Sequence, residues 1–259
     1  LPVLAFAPGN RMGLQVDRAF LDQRMAATFG LYSVGADPGL NFGDQTQSLV
    51  RPTLRVTGLP VDVAGAPSGR RLLHLGASAS LTIADDSDVR YRARPESFIA
   101  PFLVDTGTID ARRAQFVGAE LVWLDGPFTL QAEAIYNRVG APTGDLAFGG
   151  AYVSGSWMLT GEEVAYNRAV GVPDRVIPAR ELSLDANTWG AWQIAARASW
   201  LDLSDGAVRG GRMAIGTLGV NWWWNRYLRW QMDYSYGITS DTPGAGRLQI
   251  LQGRVQLMY

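Results

Sequence analysis

The sequence has no cysteine and no lysine, and a single histidine, His74. Without cysteine there are no disulfides, thiolate metal ligands or thiol nucleophiles. One histidine does not make a histidine metal centre. It also lacks a triad serine, because Ser78 lies four positions along the same extended segment, about 13 Å away. No G-x-S-x-G, P-loop, dinucleotide fingerprint or zinc spacing occurs. No enzymatic activity, cofactor or metal is therefore expected, and no nucleic-acid partner. Charged residues reach only 18 %, below the ~25 % common in soluble domains. No apolar run approaches the ~18 residues of a membrane helix. The chain starts at Leu1 rather than Met and carries no signal peptide, so it is expected to be a processed product or a fragment.

What is present is a period of two, almost from end to end. Along Leu228–Tyr236 one face reads Leu, Trp, Met, Tyr, Tyr and the other Arg, Gln, Asp, Ser. Trp192, Ile194, Ala196, Ala198 and Trp200 alternate with Gln193, Ala195, Arg197 and Ser199. Ala151, Val153, Gly155, Trp157 and Leu159 alternate with Tyr152, Ser154, Ser156, Met158 and Thr160. Similar segments run over 12–20, 23–33, 48–57, 71–83, 114–124, 128–138, 213–224 and 247–259. Eleven strands of roughly 9–13 residues result, a length that crosses a bilayer when tilted ~45°. The mean hydropathy of −0.01 fits such a chain, because alternation averages to neutral.

The connections point the same way. Leu21-Asp22, Asp125-Gly126-Pro127 and Asn225-Arg226 read as tight reversals, and 34–47, 84–113, 139–147, 202–212 and 240–246 as longer loops. Short turns on one side and long loops on the other mark outer-membrane barrels. Segments 58–70 and 161–188 break the rule, as loops on the short-turn side or as unrecognised strands. No helix, repeat or domain boundary is evident, so residues 1–259 read as one domain. Trp123, Trp200, Trp222, Trp224, Tyr227, Tyr236 and Tyr259 sit near strand ends, where amphipathic rings form girdles at the membrane surface. Trp222-Trp223-Trp224 is read as part of that girdle. A soluble sandwich also alternates, but here the apolar faces carry large aromatics on strand after strand. The opposite faces are too polar for a core. The expectation is an all-β transmembrane antiparallel barrel, apolar side out, in a bacterial outer membrane.

Several stretches together resemble the phosphate-selective porin O/P family. They are Ala5-Phe6-Ala7-Pro8-Gly9 with Gly13-Leu14, Leu73-His74-Leu75-Gly76-Ala77-Ser78, Arg90–Ser97 and Val104-Asp105-Thr106-Gly107. Gly126-Pro127-Phe128 through Glu133, Leu159-Thr160-Gly161-Glu162, and Gly190-Ala191-Trp192 to Arg197 continue the match. The resemblance implies a passive channel with a barrel of about 16 strands, commonly trimeric, set in lipid and lipopolysaccharide. Eleven strands would then be the C-terminal two thirds, with the N-terminal strands absent or supplied by another polypeptide.

Sorting charges by strand parity places Arg24, Arg51, Arg55, Arg197, Arg229 and Arg254 in the lumen, together with Arg90, Arg92 and Arg94 and, by proximity, Arg112. Only Asp17, Glu120, Glu133 and Asp233 oppose them. A chain of net charge −1 is thus expected to hold a positively lined pore that selects small anions. In Arg90-x-Arg92-x-Arg94 alternate residues point the same way, about 6.5–7 Å apart. The resemblance implies that this run is part of an arginine ladder to the constriction. The alternative is a solvated loop paired with Asp85, Asp86 and Asp88. Phosphate-specific relatives use a lysine cluster that is missing here, so a general anion preference is the firmer expectation. His74 reads as a lumen residue, and Asp85-Asp86-Ser87-Asp88 as a solvated turn. The alternative for the whole chain is a structural barrel subunit that anchors a larger cell-envelope complex.

Overall fold

In the computed structural model the alternating segments pair into one antiparallel sheet. Residues 1–6, 12–34 and 49–258 are described, with positions 34, 49, 50 and 83–87 described in backbone only. A short helix α1 (Pro2–Phe6) precedes β1 (Gly13–Phe20), β2 (Met25–Val34), β3 (Leu49–Ala66) and β4 (Gly69–Val89). A small ribbon follows, β5 (Arg92–Ala93) with β6 (Val104–Asp105), before β7 (Ile109–Asp125), β8 (Phe128–Ala141) and β9 (Gly144–Met158). Two more ribbons, β10 (Tyr166–Asn167) with β11 (Val172–Pro173) and β12 (Leu182–Ser183) with β13 (Thr188–Trp189), lead to β14 (Ala191–Asp205). The chain ends with β15 (Val208–Trp223), β16 (Leu228–Ser240) and β17 (Gly246–Leu257).

The large sheet has eleven strands in the order β1-β2-β3-β4-β7-β8-β9-β14-β15-β16-β17, with β1 and β17 at its edges. Each neighbouring pair is antiparallel, in continuous register across β7–β8, β8–β9, β15–β16 and β16–β17. These eleven strands contain the alternating segments of the sequence. The total is seventeen among the described residues, however, because the three ribbons carry no alternation: two residues per strand are too few to show a period.

The expected loop boundaries are corrected in the same way. Segment 58–70 is not a loop but the tip of a long hairpin, with β3 and β4 continuing to Ala66 and from Gly69. Segments 139–147 and 202–212 are likewise strand ends around the turns Pro142-Thr143 and Gly206-Ala207. Strands therefore reach 21 residues in β4, because pairing continues after hydrophobic alternation stops. Short turns occur at both ends of the sheet, and the longest connection between described strands, 159–190, lies at the end that holds the β3–β4 and β7–β8 turns. The helix α1 was not expected. The motif residues Ala7–Gly9, the aromatic terminus Tyr259 and the side chains of Asp85, Asp86 and Ser87 lie outside the described residues.

The two faces differ in kind. One presents Leu218, Leu251, Val255, Trp157 and Trp200 as exposed side chains. The other is covered in part by chain folded onto it. At one end, α1 and the loop carrying β5 and β6 bury Phe6, Tyr91 and Val104 against Ile135, Phe148, Leu201 and Met213. At the other, segment 159–190 buries Tyr166 against Leu72 and Val122, and Val176 against Met158 and Trp223. Trp223 is thus 3 % exposed on the covered face, whereas Trp222 stacks on Trp192 at 4.8 Å and meets Trp224 edge-on. The three-tryptophan run is split by the pleat and is not one girdle element.

Gly190 holds the crossover into β14. Its φ is +67°, and an added Cβ would collide with the Trp223 carbonyl. Gly190→Ala is expected to destabilise the fold by about 1–3 kcal/mol, read by urea unfolding in micelles with tryptophan fluorescence. Gly216→Ala, where a Cβ meets nothing within 4 Å, is the control and should unfold within error of the parent.

Candidate ion pathway

Between its two covered ends the inner face stays polar and open. A lateral chain of side chains crosses five strands there. Gln193 Nε2 donates to Ser156 Oγ at 3.0 Å and Asn221 Nδ2 to Gln193 Oε1 at 2.9 Å. Gln231 Nε2 donates to Asn221 Oδ1 at 2.5 Å, and Arg254 Nε to Gln231 Oε1 at 2.9 Å. Registers Gln193↔Asn221, Asn221↔Gln231 and Gln231↔Arg254 put these residues at one height. Sequence parity assigned Ser156, Gln193, Gln231 and Arg254 to the inner face but did not single out Asn221 and had no register with which to join them.

A cavity of about 780 Å³ opens beside this row. Arg92 and Arg94 line it from the loop, and Arg197, Glu133 and Asp233 from the sheet. The Arg92 and Arg94 guanidiniums lie 4.1 and 4.3 Å from the Phe102 ring centre. Arg94 also donates to the Phe98 carbonyl at 2.9 Å and to the Ala100 carbonyl, which braces the loop. Arg92 has no hydrogen bond or ion pair among the described residues. Glu96, at φ +55°, turns its carboxylate to the wall. There it accepts from Ser199 Oγ at 2.9 Å and sits 3.3 Å from Arg197 Nε. Arg197 in turn covers the Tyr152 ring at 4.0 Å. Phe102, Tyr152 and Glu96 were not singled out from sequence. Glu96 stands two residues past the arginine run, but nothing in its spacing says that it would turn inward.

The remaining arginines fare differently. Arg90 is absent from the cavity lining. Its Nε and Nη2 grip the two Asp105 carboxylate oxygens at 2.8 and 2.5 Å. That bond, with a backbone N–H from Gly107, holds the Asp105 carboxyl below its usual range. The carboxylate partner of this loop arginine is Asp105, across the ribbon. Arg112 is exposed beside the irregular register that ends at Ala111 and lines no part of the cavity. Arg51 donates to Thr82 Oγ1 at 2.7 Å, and Arg24 to the Leu59 carbonyl at 3.1 Å. Arg229 donates to Gln256 Oε1 at 2.6 Å and lies 5.2 Å from the Trp223 ring centre. Arg254 belongs to the polar row.

Arg55 and His74 form a second cluster under segment 159–190. Arg55 donates to Glu120 Oε1 at 2.7 Å, to the Val170 carbonyl at 3.0 Å and to the Gly171 carbonyl at 2.8 Å. His74 is 1 % exposed, with Nδ1 2.5 Å from the Tyr166 hydroxyl and Nε2 3.4 Å from Glu120 Oε1. It is a buried anchor, not an open lumen residue. Arg168 reaches Asp62 at 2.5 Å on the same segment. Gly171, at φ +67°, lies so close to Thr57 that a Cβ there would collide.

With this geometry the comparisons are specific. The family model described as phosphate-selective porin O and P matches residues 2–259. The chain belongs to that family. Porin O and P proteins are a class of channels rather than of enzymes. A protein of Caulobacter vibrioides, named there only as uncharacterized, is 29 % identical over 171 residues. The match covers 64 % of this chain and 34 % of that protein, so it spans about a third of the relative's length. No helix among the described residues is long and apolar enough to cross a membrane, which says nothing about crossing by strands.

Hydrogen bonds to a charged donor are worth about 1.5–3 kcal/mol each. Arg55→Gln should therefore loosen the 166–173 hairpin without unpairing β3. Hydrogen–deuterium exchange is expected to speed up at least about tenfold at the amides of Tyr166–Val172, with little change in β14 and β15.

Proposed function

We propose that this chain forms the larger part of an outer-membrane barrel channel through which small anions, phosphate among them, diffuse down their gradient. The observation that carries this reading is the contrast between the faces of one sheet. Side chains as large as Leu251, Leu218 and Trp157 are 71 %, 65 % and 56 % exposed on one face. A water-soluble monomer rarely shows so continuous an apolar surface, whereas hydrocarbon requires one. On the opposite face a row of amides and arginine runs beside a cavity lined by charged side chains. Trp192 and Trp200 stand eight residues apart on the apolar face of β14, about 26 Å of strand, and when tilted this approximates the apolar band of an outer-membrane barrel.

The edges β1 and β17 each leave a row of backbone groups that a bilayer would not satisfy. Five further strands from a longer polypeptide would pair both edges and give a barrel of about 16 strands. The family resemblance favours a trimer of such barrels, with lipid and lipopolysaccharide against the outer face. Anion preference would come from Arg92 and Arg94. Guanidinium stays charged at every physiological pH, and its planar fork suits oxyanions. A confined lumen strengthens that field. Arg51, Arg55, Arg229 and Arg254 would contribute background potential and not direct contacts, since none of them lines the cavity, and Arg197, which does, faces Glu96. With no lysine in the chain, any preference for phosphate over other anions would rest on guanidinium groups alone.

One observation favours a structural role in an envelope complex instead. Three pieces of chain, α1, the β5–β6 loop and segment 159–190, fill much of the inner face. A plugged subunit would be silent in a planar bilayer, whereas a channel conducts. In a potassium chloride gradient the protein is expected to show a reversal potential on the chloride side, and Arg92→Glu or Arg94→Glu should move it toward zero by about 10 mV or more. A conducting protein whose reversal potential ignores both substitutions would remove these two residues from the pathway.

A further inference from the structure

We propose that the cavity beneath the β5–β6 loop is a station for zwitterionic organic solutes, which carry an anionic group and an ammonium on a small apolar frame. The proposal rests on the channel reading above and narrows its solute class. Its basis is the pairing of charges around the cavity. Glu96 Oε1 lies 2.9 Å from the Leu1 ammonium and 3.3 Å from Arg197 Nε, so this one carboxylate is shared between two cations. Arg94 donates to the Phe98 and Ala100 carbonyls, which fix its position and leave its charge standing. Two further charges of opposite sign on the same cavity have no hydrogen bond or ion pair among the described residues.

The first is Arg92, which rests only on the Phe102 ring. The second is Asp233, on the facing wall. Its cross-strand neighbour is Gly219, and the carboxylate occupies the space that a side chain there would take. Among the described residues Asp233 accepts no hydrogen bond and has no cation within 4.0 Å, and Arg254 and Arg229 act on it only from a distance. Glu133 lines the same cavity and adds to the negative side.

An inorganic anion would satisfy Arg92 but meet repulsion from Asp233 and Glu133. A solute with both signs would satisfy both walls. The dimensions agree: about 780 Å³ falls within the roughly 300–1,000 Å³ of small-molecule sites. The lining also offers Phe98, 80 % exposed, with Phe102, Val3 and Leu4, as surface for a hydrocarbon frame.

The test uses the full-length protein in liposomes, comparing swelling in serine with swelling in neutral glycerol, alongside the chloride reversal potential. The parent is expected to admit serine faster than glycerol. Asp233→Asn should lower that ratio about threefold, the scale of a wet ion pair, while strengthening chloride preference. Arg92→Gln, at an exposed loop position whose one side-chain contact is the Phe102 ring, should lower the ratio while weakening chloride preference. Asp233→Glu keeps the charge and should restore the ratio. A serine-to-glycerol ratio unmoved by Asp233→Asn, or lost equally in Asn and Glu variants, overturns the zwitterion proposal while chloride preference still stands. A parent protein that prefers serine but not chloride overturns the anion reading instead.

Discussion

A pleated strand gives each residue only two directions, and the structure depends on what fills each. Because side chains alternate strictly, a one-residue slip would turn Leu218, Met232 and Leu251 inward and Thr217, Asp233 and Gln252 outward. Eleven strands in unbroken neighbour pairing make that slip collective, since each register is fixed by two partners except at β1 and β17. The polar row from Ser156 to Arg254 locks the same register from inside. Three of its four hydrogen bonds join residues paired directly in the observed register, and Gln193 reaches Ser156 diagonally, since Ser156 pairs with Ala195.

The inner face is not uniformly polar, and its variation follows what lies over it. On β14, Arg197 faces the cavity and the buried Gln193 and Ser199 beside it are hydrogen-bonded to Asn221 and Glu96, whereas Leu201 and Leu203 are fully buried under the end that α1 and the β5–β6 loop cover. On β8, Gln131 and Glu133 give way to Ile135 and Val139 in the same way. The sheet thus has an apolar floor where chain is to be packed and a polar one where solvent is to remain. The cavity is the interval between the two packed ends.

This explains what the sequence could and could not disclose. Alternation in 114–124 or 228–236 is a local signal, set by neighbours along one strand, and it located the sheet. The long hairpin tips, the ribbons and α1 are held by contacts distant in sequence. Tyr166 on His74 is 92 positions away, and Ser199 on Glu96 is 103. No local period encodes such contacts. The arginine run 90–94 stood out as a run, but extended geometry alone treats its members as equals. The fold divides them three ways: Arg90 to Asp105, Arg94 to both its own loop and the cavity, Arg92 to the cavity alone. Arg112 was assigned by proximity to a strand whose register is irregular there, and at such a position parity loses its meaning.

The same division bears on selectivity. Counting arginines against acids by parity suggests a strongly positive lumen, but charge matters to a passing ion only where it is not already answered. Asp105, Glu120, Asp62 and Glu96 answer Arg90, Arg55, Arg168 and Arg197 at 2.5–3.3 Å. These pairs give the inserted segments their anchorage and leave little net field behind. On the proposed reading, most arginines hold the interior in shape, and selectivity falls to the few charges the fold leaves unanswered. Those few carry both signs, which is why the solute class cannot be taken from the arginine count alone.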